Sequence, residues 1–180
     1  DLGKKPMTGD GRLKIKNALI SVSDKSGLEE LVTCLNQNNV SIFSTGGTAK
    51  FIESFGINVK QVSEITNFPE IMDGRVKTLN PLIYGGILNR SGIDDHIQKE
   101  HGMINLDLMV INLYPFEETV KKNKSKVDII EKIDIGGISL IRAAAKNFKD
   151  VLIISDINQY EKLFSILNDQ KGQSNEDQRR

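Results

Sequence analysis

Residues 17–56 read NALISVSDKSGLEELVTCLNQNNVSIFSTGGTAKFIESFG, and the alternation of patterns inside this stretch decides the fold class. Residues 17–22 (NALISV) are a short apolar run of strand type. SDKSG follows, then a helix in which Leu28, Leu31, Val32 and Leu35 recur at i, i+3, i+4 and i+7. Ser26 and Glu29 have capping-box spacing at its start. The unit then repeats: residues 40–44 (VSIFS) as strand, TGGT as loop, and residues 49–55 as a helix stopped by Gly56.

Working outward, further strands are predicted at residues 59–62, 106–113 (LDLMVINL) and 151–154 (VLII), with helical patterning over 159–167. Strands that alternate with helices imply an α/β protein with a mostly parallel sheet flanked by helices. Residues 63–90 show little period and carry Pro69, Pro81 and several glycines; a long irregular segment inside a compact domain points to function. Residues 1–16 are polar and aperiodic, and are expected to be a flexible extension that contributes little to the fold. Residues 169–180 read as a linker cut partway, which leaves 17–168 as the domain.

The chain has 180 residues, enough for one domain with a hydrophobic core. Lys plus Arg and Asp plus Glu are both 24, so the net charge is zero. That balance argues against a general nucleic-acid binder, and any anion must be gripped by a few placed groups. A single cysteine, Cys34, excludes an internal disulfide and fits a reducing, cytoplasmic setting; it reads as a small buried hydrophobe. No apolar run reaches membrane-spanning length. His96 and His101 are five apart, the wrong spacing for one helical face, and no metal is expected. The run KKNKSK (121–126) reads as a solvated loop.

In open α/β sheets ligands sit at the carboxyl ends of strands, and here those ends carry SDKSG, STGGTA, NLYPF and DIGG. In Ser44-Thr45-Gly46-Gly47-Thr48, two glycines let backbone N–H groups approach a phosphate, and the following helix start adds free donors and a positive dipole end. The alternative is a plain strand–helix turn. Lys25, at the equivalent turn after the first strand, is either a second phosphate contact or a solvated lysine. Arg75 and Lys77 share one side of an extended segment, either as a solvated face or as an anion clamp. Tyr114 either handles a proton or caps the core with its ring. Asp134 precedes a helix that carries Arg142 and Lys146. The acid either caps that helix or, with Lys146 drawn inward past three alanines, forms a tuned pair suited to proton transfer.

SVSDKSGL, STGGTA, GRVKTL, NLYPF, IDIGG and RAAAKN occur in the order and approximate spacing of one family. From about residue 17 onward the chain resembles the N-terminal IMP cyclohydrolase domain of the bifunctional AICAR transformylase/IMP cyclohydrolase, whose fold is similar to methylglyoxal synthase. The resemblance implies that Ser23, Lys25, Ser44, Thr45, Gly46, Gly47 and Thr48 hold a 5′-phosphate. It implies that Arg75, Lys77, Thr78, Asn112, Tyr114, Asp134 and Gly136 surround the heterocycle. Lys77, Tyr114, Asp134 and Lys146 would be the proton-handling group.

The implied reaction is closure of 5-formamidoimidazole-4-carboxamide ribonucleotide to IMP, with no cofactor. A nucleotide would be the only small-molecule partner, with no nucleic acid and no membrane, and full-length relatives would be homodimers. The transformylase domain would lie beyond this fragment. Asn80, Leu82 and Tyr84 stand where the family carries histidine or basic residues, and Ile138 where it often has proline. Two rivals share the fold: a methylglyoxal synthase, which leaves NLYPF and RAAAKN without a reason, and a non-catalytic nucleotide-sensing module, which needs only the anion loop.

Overall fold

A computed structural model describes residues 5–122 and 125–180. The first half of the chain runs β1 (Leu13–Lys14), β2 (Asn17–Ser21), α1 (Leu28–Gln37), β3 (Ser41–Ser44), α2 (Gly46–Glu53), β4 (Val59–Gln61), α3 (Val62–Thr66) and α4 (Pro81–Leu88). The second half runs α5 (Asp95–Glu100), β5 (Leu108–Ile111), α6 (Phe116–Lys121), α7 (Lys126–Glu131), α8 (Gly136–Lys146), β6 (Leu152–Ile154), a 3-10 turn (Ile157–Gln159), α9 (Tyr160–Asn168), β7 (Gln173–Ser174) and α10 (Glu176–Arg179).

Five strands form one parallel sheet in the order β4-β3-β2-β5-β6. β2 lies at its centre, with Leu19 opposite Phe43 on one side and Met109 on the other. Successive side chains alternate between faces, so each strand feeds two cores. Ala18, Ile20, Ile42, Leu108, Val110 and Ile154 pack against α1, α2 and α9 through Leu31, Leu35, Ile52 and Leu163. Leu19, Phe43, Met109 and Ile111 pack on α4 and α8 through Ile83, Ile87, Leu140 and Ala144. Both faces are covered, which is why β5 reads as an unbroken apolar run and is buried throughout. The mostly parallel α/β architecture expected from residues 17–56 is the one observed.

Several local expectations differ. Ser26 and Glu29 form no capping box: the N-cap of α1 is Gly27 at φ 70°, and the Ser26 hydroxyl donates to Asp24 Oδ1 at 2.7 Å. Residues 63–90 contain α3 and α4. Asn80 begins α4, its Oδ1 accepting from the Leu82 N–H at 2.9 Å, with Pro81 in the first turn.

The chain ends are also packed, contrary to the flexible extension and cut linker expected from their polarity. β1 pairs antiparallel with β7, Leu13 opposite Ser174. Leu13 and Ile15 are buried, and so is Arg179, whose guanidinium donates to the carbonyls of Phe148, Lys149 and Ser174. Lys5 is 1% exposed and donates to the carbonyls of Gly86 and Leu106 at 3.1 Å each. These polar residues are recruited by buried carbonyls rather than by apolar packing, which hydrophobic periodicity does not register. Residues 1–4 lie outside the described residues, as do 123–124 of the KKNKSK run.

At the amino edge of the sheet Asp107 splices β2 to β5. Its Oδ2 accepts from the Lys16 and Asn17 N–H groups at 2.9 Å each, while Oδ1 has no partner. Burial pushes the Asp107 carboxyl up to about 6, against the opposing pull of the Lys5 charge. Burial likewise draws Lys5 down to about 8.

Candidate active site

After β2 the chain adds β3 and β4 on one side of the sheet, then crosses to add β5 and β6 on the other. The crevice at the carboxyl ends of β2 and β5 is therefore a topological switch point, the place where such sheets bind ligands. A cavity of about 470 Å³ lies there. Ser23 and Lys25 line it from the turn after β2, Thr45, Gly47 and Thr48 from the start of α2, and Arg75, Lys77 and Thr78 from the loop before α4. Asn112 and Tyr114 enter from the end of β5, and Asp134 and Gly136 from the start of α8. Twelve residues expected from five separate segments thus share one cavity.

The hydroxyls are engaged within the protein. Ser44 is fully buried, and its Oγ donates to the Ile20 carbonyl at 2.6 Å. Thr48 Oγ1 donates to the Val22 carbonyl at 3.1 Å and accepts from the Val22 N–H at 3.3 Å. Asn112 Oδ1 accepts from the Ser23 N–H at 2.6 Å, and its Nδ2 donates to the Asp24 carbonyl at 2.9 Å. Ser44, Thr48 and Asn112 therefore hold the loops in place. The first turn of α2 presents the backbone N–H groups of Gly46, Gly47 and Thr48, and its N-cap Thr45 makes no side-chain cap bond to them. Gly46 takes φ 50°, a left-handed value that disfavours any side chain.

Lys77 supplies charge to this point. A Cβ built on Gly46 would lie 3.9 Å from Lys77 Nζ, so the ammonium stands over the helix start. Lys25 is partly turned back, with its Nζ 3.4 Å from the Val22 carbonyl. Arg75 does not reach in freely: its guanidinium is ion-paired with Glu131 at the end of α7. Thr78 is buried against α8, where a Cβ on Gly136 would come within 3.2 Å of its Oγ1.

Asp134 is held by its own helix. Its Oδ1 accepts from the Gly137 N–H at 2.6 Å, so the acid caps the start of α8 while it lines the cavity. Lys146 is not its partner. It lies exposed at the last residue of α8, ten positions beyond Gly136, about 15 Å along the axis. Two of the three alanines are buried, yet the helix period carries Lys146, like Ala145, past the buried stripe formed by Leu140, Ala143 and Ala144. The tuned lysine–aspartate pair is corrected accordingly.

Tyr114 is half-exposed, with Lys132 Nζ 4.6 Å from its ring centroid. Tyr84 does not enter the cavity: its hydroxyl meets Ser139 Oγ at 2.5 Å and ties α4 to α8, and burial pushes its phenol up. Sequence reasoning missed Glu70, Asp73, Glu131 and Lys132. Only the position of Asp73, directly before GRVKT, offered a signal. Among the described residues no group of three or more His, Cys, Asp or Glu side chains is arranged to hold a metal ion, and no helix is long and apolar enough to cross a membrane.

Comparison with known proteins agrees with this geometry. Residues 27–139 match the family model of the MGS-like domain. The bifunctional purine biosynthesis protein PurH of Xanthomonas euvesicatoria pv. vesicatoria is 51% identical over 162 residues, covering 89% of this chain and 31% of the relative. PurH of Bacteroides thetaiotaomicron is 49% identical over 169 residues, covering 93% and 33%. The chain thus spans about a third of the length of these curated relatives. Among solved structures, that of ForH superposes with a TM-score of 0.77 at 30% identity, covering 92% of this chain and 87% of that one. The parallel sheet, the cavity at its switch point and the extent of these matches place the chain in the MGS-like domain family.

Proposed function

We propose that this chain is an IMP cyclohydrolase acting in purine biosynthesis, which closes the six-membered ring of 5-formamidoimidazole-4-carboxamide ribonucleotide to give IMP and water. One observation carries the reading: a single cavity joins an unpaired helix start with a lysine above it to a carboxylate and a phenol at its other wall. The phosphate binds the N–H groups of Gly46, Gly47 and Thr48, and the heterocycle lies towards Thr78, Tyr114 and Asp134. The names of the PurH relatives point the same way.

Ring closure needs the carboxamide nitrogen to attack the neighbouring formyl carbon, although its lone pair is delocalised into the amide. Both groups sit on one molecule, so the protein's first task is to fix the attacking rotamer. Asp134, anchored by the Gly137 N–H, accepts the carboxamide proton as the new carbon–nitrogen bond forms. Lys77 stabilises the oxyanion on the former formyl oxygen. That oxygen takes up one proton, then a second from Tyr114, and leaves as water. The ring nitrogen that carried the formyl group gives up its own proton, which completes the double bond. No cofactor enters the scheme. The chain acts in the cytoplasm, and the transformylase activity implied by the family resemblance is not assigned to it.

Ring closure followed by ultraviolet absorbance tests the reading, with single-turnover rates for Lys77→Ala, Tyr114→Phe and Asp134→Asn. Each variant is expected to lose at least tenfold in rate. Wild-type turnover in Asp134→Asn sinks the scheme, and no ring closure by the unaltered chain sinks the assignment.

A further inference from the structure

Glu70 is absent from the roles above, yet its carboxylate stands at the anion position. A Cβ built on Gly46, the first residue of α2, would lie 3.9 Å from Glu70 Oε1, 4.0 Å from Oε2 and 3.9 Å from Lys77 Nζ. A Cβ on Gly74 would strike Glu70 Oε1 at 2.5 Å and lie 4.0 Å from Lys77 Nζ. The carboxylate therefore fills the space that Gly74 leaves by lacking a side chain, and it faces both the helix start and the lysine. It forms no ion pair with Lys77 among the described residues, and the side chain is exposed. Charge, not a hydrogen bond, holds it there: negative groups are favoured at a helix start and near an ammonium.

The segment that carries Glu70 is strained. Met72, Asp73 and Gly74 take φ values of 54°, 54° and 84° in succession, and two backbone bonds between Ile71 and Val76 close the turn. Consecutive left-handed residues store strain in this loop, which a change of its conformation would release.

We propose that Glu70 is an internal stand-in for the nucleotide phosphate: it occupies the positive pole of α2 beside Lys77 and is displaced when the phosphate binds. This rests on the phosphate site assigned above. The consequence is selectivity by exchange. A dianionic phosphate outcompetes one carboxylate, whereas a neutral nucleoside leaves Glu70 in place.

Calorimetric titration of the full chain with IMP, inosine and inorganic phosphate, compared with Glu70→Gln, tests this. The glutamine keeps the shape and removes the charge. IMP and inorganic phosphate are expected to bind Glu70→Gln roughly tenfold more tightly, with inosine unchanged. A residue that only positions Lys77 predicts the opposite sign. Equal or weaker IMP binding by Glu70→Gln, when the wild type prefers IMP to inosine, overturns the exchange and leaves the phosphate site standing. A wild type that binds IMP no better than inosine overturns both.

Discussion

Replacing Gly137 by alanine tests whether the observed setting of Asp134 is the working one. The backbone at Gly137 is not in the left-handed region, so alanine meets no conformational barrier. The new Cβ, however, would lie 2.7 Å from Asp134 Oδ2, 2.9 Å from Oδ1 and 3.0 Å from Cγ. Ordinary contact begins at 3.4 Å, so the carboxylate must retreat by roughly 0.7 Å, the difference between 3.4 and 2.7. That movement stretches the 2.6 Å bond from the Gly137 N–H to as much as roughly 3.3 Å, at a cost of up to about 1 kcal/mol. Alanine regains about 0.5–1 kcal/mol through its better helix propensity. Stability should therefore change by less than about 1 kcal/mol. Misplacing a reacting group on this scale should lower the single-turnover rate about 100-fold. Urea unfolding, IMP titration and ring-closure kinetics on one preparation separate the effects: unfolding and IMP affinity near wild type, rate strongly reduced. A Gly137→Ala protein that turns over at the wild-type rate would refute the idea that Asp134 acts from its capped position.

Ser44→Ala removes a buried hydrogen bond to the Ile20 carbonyl and should lower unfolding free energy by about 1 kcal/mol, while titration is expected to show IMP affinity unchanged because the hydroxyl faces inward. Leu13→Ala should cost about 2–4 kcal/mol in urea unfolding despite its place near the chain start; a cost below about 1 kcal/mol would mean that β1 is not part of the folded body. Asp107 supplies a pH test. Its folded carboxyl titrates at about 6, above the ordinary 3.8, so the folded state keeps a proton that the unfolded chain has lost. That contribution is fully present below the ordinary value and disappears as pH rises through about 6. Between pH 4 and pH 7 the wild type should lose roughly 2–3 kcal/mol relative to Asp107→Asn, and parallel pH profiles would disprove it.

The middle of the sheet was legible because its inner strands are buried on both faces. NALISV, VSIFS and LDLMVINL are apolar runs short enough to be strands and bounded by turn residues, and they became β2, β3 and β5. The gathering of the site was legible for a topological reason: loops at the carboxyl ends of adjacent parallel strands must meet. What each side chain does there was not. Ser44, Thr48 and Asn112 look like ligand contacts by type, yet each satisfies a backbone group of a neighbouring loop, a partnership set by tertiary distance alone. Lys146 shows the same limit, since motif order says nothing about the ten residues of helix standing between it and Asp134. Helix α4 could have been found, because Asn80-Pro81 is a helix-start pair. Glu70 could not, since its place follows from a turn whose left-handed residues include Met72 and Asp73.

The pairing of β1 with β7 has an architectural corollary. Antiparallel strands bring residues 12 and 175 out at the same end of the ladder, beside the amino edge of the sheet and across its full width from the cavity. A short peptide joining these two residues would close residues 12–175 into a ring, at the loss of the Lys5 and Arg179 contacts, and fresh termini could be opened in an exposed loop such as that at Gly92. Such a permuted molecule would keep the crevice at the carboxyl ends of the strands intact, because none of residues 12–14 or 173–175 lines it.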